Sequence, residues 1–297
     1  MSTSDPQTAG NAWDAAAAGW DRHGPLVRTW LQDASAAMLD AAGIRAGARV
    51  LDVAAGAGDQ TLDIARRVGP TGEVHATDLS VAILERAAQR LAKARADGEP
   101  LAPVSTQVAD AQSLALSGRG FDAAICRLGL MFCADPGAAL RSVHAALAPG
   151  GRFAALVFAG PSGNPCITTL VRTALEHVGA PPGDPFAPGT LLSLGRPDHV
   201  RALMSEAGFD DISVQALDTP MCTASAAEYV QFVRDAGAPV IQLLNALPPA
   251  RRDAAWAEIT QRLARFQEGR GWVGPNQLLL VAGAKARHET SPGRFAA

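Results

Sequence analysis

The chain has 297 residues, and at roughly 100–200 residues per domain that length accommodates one large domain or two small ones, with a core that needs no disulfide staples. Hydrophobic residues make up 48% and charged residues 19%, which excludes a disordered or collagen-like chain; the aromatic share is 5%, with alanine filling much of the apolar quota. A net charge of −3 offers no long-range attraction to phosphate backbones or anionic lipid, so neither a nucleic acid nor a membrane is expected as a partner. Residues 1–10 show no signal-peptide pattern, and nowhere do about 18 uncharged apolar residues run together. The expectation is a soluble, cytoplasmic protein, with the oligomeric state left open. Cys126, Cys133, Cys166 and Cys222 are scattered without a CxxC pair, which suits reduced thiols rather than a disulfide framework or structural zinc, and no metal site is predicted.

In chain order, Trp13 to Ala42 mixes Ala, Leu and Trp with spaced charges and reads as two helices around Gly24-Pro25. Arg49 to Val53 is a short buried strand, followed by the glycine turn Ala54-Ala55-Gly56-Ala57-Gly58 and a helix through Thr61 to Ala65. A second strand, Glu73 to Thr77, ends at Asp78, and Ser80 is placed to cap the helix carrying Ile83, Leu84, Ala87 and Leu91. Val104 to Val108 is a third strand ending in Asp110, and Phe121 to Cys126 a fourth. Pro136 opens a helix that stops at Pro149-Gly150-Gly151, and Arg152 to Phe158 makes a fifth strand. Strands alternating with helices at this spacing imply a parallel sheet covered on both faces.

Beyond Ala159 the rhythm breaks. Residues 160–195 are rich in Pro and Gly around one helical stretch, Ile167 to Val178, and read as an insertion. A helix from Pro197 to Ala207, a strand near Ile212 to Leu217 and a last strand at Gln277 to Val281 resume the core. Between those two strands about fifty residues of helical pattern, Ala224 to Phe266, are too long for an ordinary connection and are expected to form part of a lid. The expected division is 1–43 as helices covering the site, 44–160 as the ligand-binding core, 161–196 as a first cap insertion, and 197–221 as core. Residues 222–272 form a helical cap insertion, 273–287 the last core strand, and 288–297 a disordered tail.

In an open parallel sheet, ligands bind beyond the carboxyl ends of the strands where the strand order reverses. Gly56 and Gly58 let backbone N–H groups approach a ligand closely, and Asp78, twenty residues after Gly58, suits a carboxylate holding two ribose hydroxyls. A GxG turn with a downstream acid also occurs in nicotinamide and flavin enzymes. Three details favour a different ligand. Position 61 is Thr where a dinucleotide fingerprint wants a third glycine. Asp52 and Asp59 flank the helix N-terminus that a pyrophosphate needs and suit an ammonium and a sulfonium instead. Asp110 and the backbone amide of Ala111 are placed to read an adenine edge. Together these describe S-adenosylmethionine.

The segments Val50 to Gly58, Gly72 to Ser80, Ala109-Asp110-Ala111, Phe121-Asp122 and Leu147 to Gly151 resemble the class I S-adenosylmethionine-dependent methyltransferases, and most closely the ubiquinone and menaquinone biosynthesis C-methyltransferase group. The resemblance covers Ala42 to Ala159. It implies a Rossmann-like, seven-stranded, mostly parallel α/β sheet with an antiparallel last strand, plus a helical cap. It further implies Ala54, Gly56 and Gly58 facing the methionine moiety, Asp78 the ribose, Leu79, Asp110 and Ala111 the adenine, and Arg127 beside the methionine end. Ala54 departs from the glycine usual there, at small cost if its φ stays negative. Arg152 to Ala159 lacks the Glu-x-Ser expected of the quinone enzymes.

The reaction expected is in-line methyl transfer to a small, largely apolar acceptor through O, N or activated C. His23 is the favoured candidate for a general base, against the reading of a surface histidine ahead of a turn, and Trp20 for a ring covering the cofactor, against plain core packing. His144 and His199 read as structural. The apolar run Leu128 to Phe132 is a candidate lining for an acceptor pocket. Alternatives are a nicotinamide oxidoreductase, a non-catalytic S-adenosylmethionine binder, and an arsenite methyltransferase if the four thiols converge.

Overall fold

The computed structural model describes residues 6–287; the predicted tail, 288–297, lies outside them. The chain opens with two long helices, α1 (Pro6–Arg22) and α2 (Gly24–Ala41), joined at His23. Then come β1 (Arg49–Val53), α3 (Asp59–Val68), β2 (Glu73–Asp78), α4 (Val81–Ala96), β3 (Val104–Val108), β4 (Phe121–Arg127), α5 (Pro136–Ala146) and β5 (Leu147–Phe158). The helix starts follow their side chains. Ser80 Oγ accepts from Ile83 N–H at 3.0 Å to cap α4, and Asp135 Oδ1 accepts from Ala138 N–H at 2.9 Å ahead of Pro136 in α5.

The second half comprises α6 (Pro165–Val178), α7 (Pro197–Glu206), β6 (Phe209–Asp218), β7 (Met221–Thr223), α8 (Ala226–Ala236), α9 (Ala238–Asn245), α10 (Pro249–Leu263), β8 (Gln267–Glu268), β9 (Gly271–Gly274) and β10 (Gln277–Lys285). The main sheet has seven strands in the order β3-β2-β1-β4-β5-β10-β6. β10 runs antiparallel to both neighbours, while the β1 to β5 pairings are parallel. β1 and β10, in the interior, are almost wholly buried, whereas the edge strand β3 exposes Ser105 and Thr106. After β1 the chain steps outward to β2 and β3 and then returns to β4 on the other side, so the crevice at the carboxyl ends of β1 and β4 is the switch point.

The sequence predicts only helices between β6 and β10. The structure adds a second sheet, β7-β9-β8, around the turn at Gly269. Its strands are two to four residues long, too short to leave an alternating pattern, and the buried Trp272 ties β9 to α10 by donating its indole N–H to Leu263 O at 2.7 Å. α6, α8, α9 and α10 pack on one another, and α1 lies against α8 and α9. The two segments outside the alternating core therefore form one body above the switch point, with α1 between it and the sheet. Among the described residues, no helix is long and apolar enough to cross a membrane.

Candidate active site

Two cavities adjoin at the switch point. The first lies over the carboxyl ends of β1, β2 and β4 and is walled by the turn from Val53 to Ala57, by Asp78 and Leu79, by Ala109 to Gln112, by Cys126 to Gly129, and by α1 and α2 from above. The second is bounded by the aromatic side chains of α1, α2 and α8 and by aliphatic residues of α6 and α9. Trp13, Trp20, Leu128 and Phe132 line both, so the two cavities meet at these side chains.

In the first cavity, Asp78 is nearly buried at the end of β2. Its Oδ2 accepts from Gly56 N–H and its Oδ1 from Ser80 N–H, both at 3.0 Å. Burial pushes its carboxyl above the ordinary value against the pull of these backbone donors. Gly56 makes this contact at φ 57, a left-handed conformation that no side chain crowds. Asp110 caps the short 3-10 turn Ala111–Ser113 through Gln112 N–H at 2.9 Å, and the Gln112 amide lies on the same carboxylate. The N–H of Ala111 opens that turn with no partner inside it. Leu79, Ala111 and Arg127 line the cavity as well.

Four expectations are corrected here. Asp52 does not face a ligand: it is fully buried beneath the turn, with its carboxylate accepting from Thr61 Oγ1 at 2.6 Å and from the Gln60 amide. Burial raises its pKa to about 6 in spite of those hydrogen bonds. Thr61, standing where a dinucleotide site has glycine, is thus the partner of Asp52. Gly58 does not line the cavity either. It caps α3 at φ 78, and a Cβ there would come within 2.7 Å of the Ala87 side chain, so it is the close approach of α4 that demands glycine. Ala54 has φ 55 and carries the strain that the sequence reading assumed away.

The fourth correction concerns charge. Asp59 lines the cavity but is not a free anion: Arg28 and Arg90 meet its Oδ1 and Arg127 its Oδ2, the last two at 3.3 Å. Arg127, 9% exposed at its side chain, also donates to Ser35 Oγ at 2.9 Å. Arg28 also meets Asp63 at 3.7 Å and Arg90 meets Asp21 at 3.3 Å, so acids and guanidinium groups offset one another at this end and Asp59 is not free to repel a phosphate. Arg28 and Arg90 come from α2 and α4, and nothing in the local turn announces them.

His23 lies outside both linings. At the α1–α2 junction its Nε2 meets Asp235 Oδ2 at 2.8 Å, beside Arg22, and its ring packs edge-on against Phe232, whose side chain stands at the second cavity. The junction turns the imidazole toward α8, which places it behind the cavity wall. Trp20 does line both cavities. Of the run Leu128 to Phe132, Leu128 and Phe132 reach the cavities while Leu130 and Met131 are buried in the core. Leu128 also has a positive φ, 58, at the end of β4. Cys126 and Cys133 line the first cavity, burial pushing the Cys133 thiol up to about 12, while Cys166 is buried in α6 and Cys222 is exposed on β7. The four thiols do not converge, and among the described residues no group of three His, Cys, Asp or Glu could hold a metal ion.

Sequence reasoning missed Trp13, Trp30, Tyr229, Phe232 and Asn276, all on the second cavity. They come from α1, α2, α8 and the loop before β10, with Tyr229 and Phe232 both on α8, and none stands in a motif.

Residues 50–151 match the "Methyltransferase domain" family. The ubiquinone/menaquinone biosynthesis C-methyltransferase UbiE of Pseudomonas paraeruginosa is 36% identical over 189 residues, 59% of this chain and 70% of that protein. UbiE of Pseudomonas aeruginosa is 37% identical over 126 residues, 42% of this chain and 48% of the relative. The chain thus spans about half the length of several curated relatives it matches. Among solved structures, the [4+2]-cyclase SpnF superposes with a TM-score of 0.56 at 17% identity, over 95% of this chain and 97% of that one.

With its switch-point cavity, its sheet order and these matches, the chain belongs to the class I S-adenosylmethionine-dependent methyltransferases. Within that class its similarity is to the ubiquinone/menaquinone biosynthesis C-methyltransferases.

Proposed function

We propose that this protein transfers a methyl group from S-adenosylmethionine to a small, uncharged, largely apolar acceptor seated in the second cavity. The observation that carries this reading is the shared lining of Trp13, Trp20, Leu128 and Phe132, at which the two cavities meet. When bound, the cofactor supplies a methyl group already activated on a sulfonium.

Around it, Asp78 would accept from the ribose hydroxyls, with its carboxylate held in place by Gly56 and Ser80 N–H groups. Leu79 and Ala111 would flank the adenine, and Arg127 and Arg90 would face the carboxylate of the methionine half. The guanidinium groups gathered around Asp59, two of them lining the cavity, support that placement. Trp13 and Trp20 present aromatic faces suited to a sulfonium.

No acid or base stands in the shared lining. The chain's contribution is therefore placement of the nucleophile and exclusion of water, an effect worth up to about 7–11 kcal/mol. His23, paired with Asp235 behind Phe232, has no part in this scheme.

Calorimetry with S-adenosylhomocysteine and with NADH tests the cofactor, and methyl-labelled S-adenosylmethionine offered with a panel of neutral apolar phenols and ketones tests the transfer. The expected result is tight adenosylhomocysteine binding and label passing into an organic extract. NADH binding in its place, or label passing only to protein or RNA, overturns the reading. Because the fold is shared with a [4+2]-cyclase, cofactor binding alone does not establish transfer.

A further inference from the structure

The second cavity is apolar apart from a few atoms, and among the described residues no charged side chain lines it. Besides the indole rings of Trp13, Trp20 and Trp30, two side chains on its wall carry polar groups. Asn276, 4% exposed, already donates its amide N–H to Gly274 O at 3.1 Å. Tyr229, 5% exposed, is the only tyrosine of the chain. Its ring stacks on Trp272, with centroids 4.6 Å apart, and thereby closes one side of the cavity. Its hydroxyl forms no hydrogen bond with any other described residue, and burial keeps it protonated far above the ordinary tyrosine range. Among the described residues, the one fully enclosed side-chain nitrogen or oxygen without a partner is Trp20 Nε1. The Tyr229 hydroxyl is therefore not fully enclosed, and the residue lines the cavity.

A hydroxyl that opens on an apolar cavity and meets no acceptor among the described residues gains a hydrogen bond when a ligand oxygen accepts its proton. We infer that Tyr229 is the acceptor-positioning residue, donating a hydrogen bond from its hydroxyl to a neutral oxygen of the methyl acceptor and so selecting oxygenated molecules over hydrocarbons of the same shape. The inference rests on the reading of this cavity as the acceptor site. Carboxylate and phosphate acceptors are disfavoured because no cation lines the cavity to compensate their charge.

The test uses the full chain saturated with S-adenosylhomocysteine and two probes of matched shape, acetophenone and α-methylstyrene, which differ in a carbonyl against a vinylidene group. With fluorotyrosine in place of tyrosine, fluorine NMR shows a single resonance at Tyr229 that reports occupancy of the cavity by either probe. The ratio of the two affinities is then measured by calorimetry in wild type and in Tyr229→Phe, which carries no tyrosine to label. Acetophenone is expected to lose its relative advantage by about 3- to 10-fold in the variant. Tyr229→Phe is expected to melt no lower than wild type, since the hydroxyl has no partner to lose among the described residues. An unchanged ratio, or a clear drop in melting temperature, overturns the positioning role while leaving the cavity as the acceptor site. If neither probe binds and the resonance stays still, the acceptor-site reading falls, and this inference with it.

Discussion

The two cavities are built by different means. The first is made at the ends of three neighbouring strands by the loops that follow them, so its groups come in short runs: 53–57, 78–79, 109–112 and 126–129. The second is assembled from α1, α2, α6, α8, α9 and the loop before β10, with no two of its aromatic residues adjacent in the chain. A ligand gripped by backbone N–H groups and strand-end carboxylates imposes a local pattern, because the strand sets the geometry and only the next few residues respond. An apolar ligand imposes only the requirement that large side chains meet, which many sequences satisfy.

This contrast can be broken experimentally. If the first cavity depends on its local scaffold, Gly58→Val should have the largest effect, since it combines a left-handed backbone with a clash against Ala87. A loss of about 4 kcal/mol is expected in chemical denaturation, and an unchanged midpoint would show that α3 and α4 are not packed as described.

Next in size is the proton on Asp52. Its folded pKa of about 6 exceeds the ordinary 3.8, so the folded state binds this proton more tightly than the unfolded chain. The stabilisation is present below about pH 4 and is lost as pH rises through about 6, an effect on the order of 3 kcal/mol. Asp52→Asn, neutral throughout, should flatten that part of the stability curve in denaturation series; a variant with the wild-type slope would assign the titration elsewhere.

Asp78→Ala sharpens the comparison in binding. Adenosylhomocysteine affinity should fall by about 10- to 100-fold, the loss expected of charged hydrogen bonds, while the apolar probes of the second cavity keep theirs. Both falling together would mean that the cavities are one site. Smallest is Ala54→Gly, which relieves the strain at φ 55 and should raise stability by about 1 kcal/mol. A destabilised variant would show that the methyl group packs usefully enough to offset its backbone cost.

How much was legible follows the same division. The strand, turn and acid pattern from Arg49 to Asp110 is enough to bring Asp78, Gly56 and Ala111 to one crevice, because period and spacing determine where strand ends fall. The same pattern misled where side chains look past their neighbours. Asp52 turned inward to Thr61, Gly58 served α4 and not a ligand, and His23 faced α8. The short strands β7, β8 and β9 left no periodic trace, being held by Trp272 and Leu263 across the cap.

The sequence by itself determined the alternation of strands and helices and the switch-point crevice with Asp78 at its rim, since those depend on residues close together in the chain. Tertiary structure alone decided the charge of that crevice, through three arginines from α2, α4 and β4 closing on Asp59. It also decided the shape of the second cavity, through rings brought together from separate helices. Interactions that act at a few ångströms across long loops leave no spacing to read, and only folding puts their partners side by side.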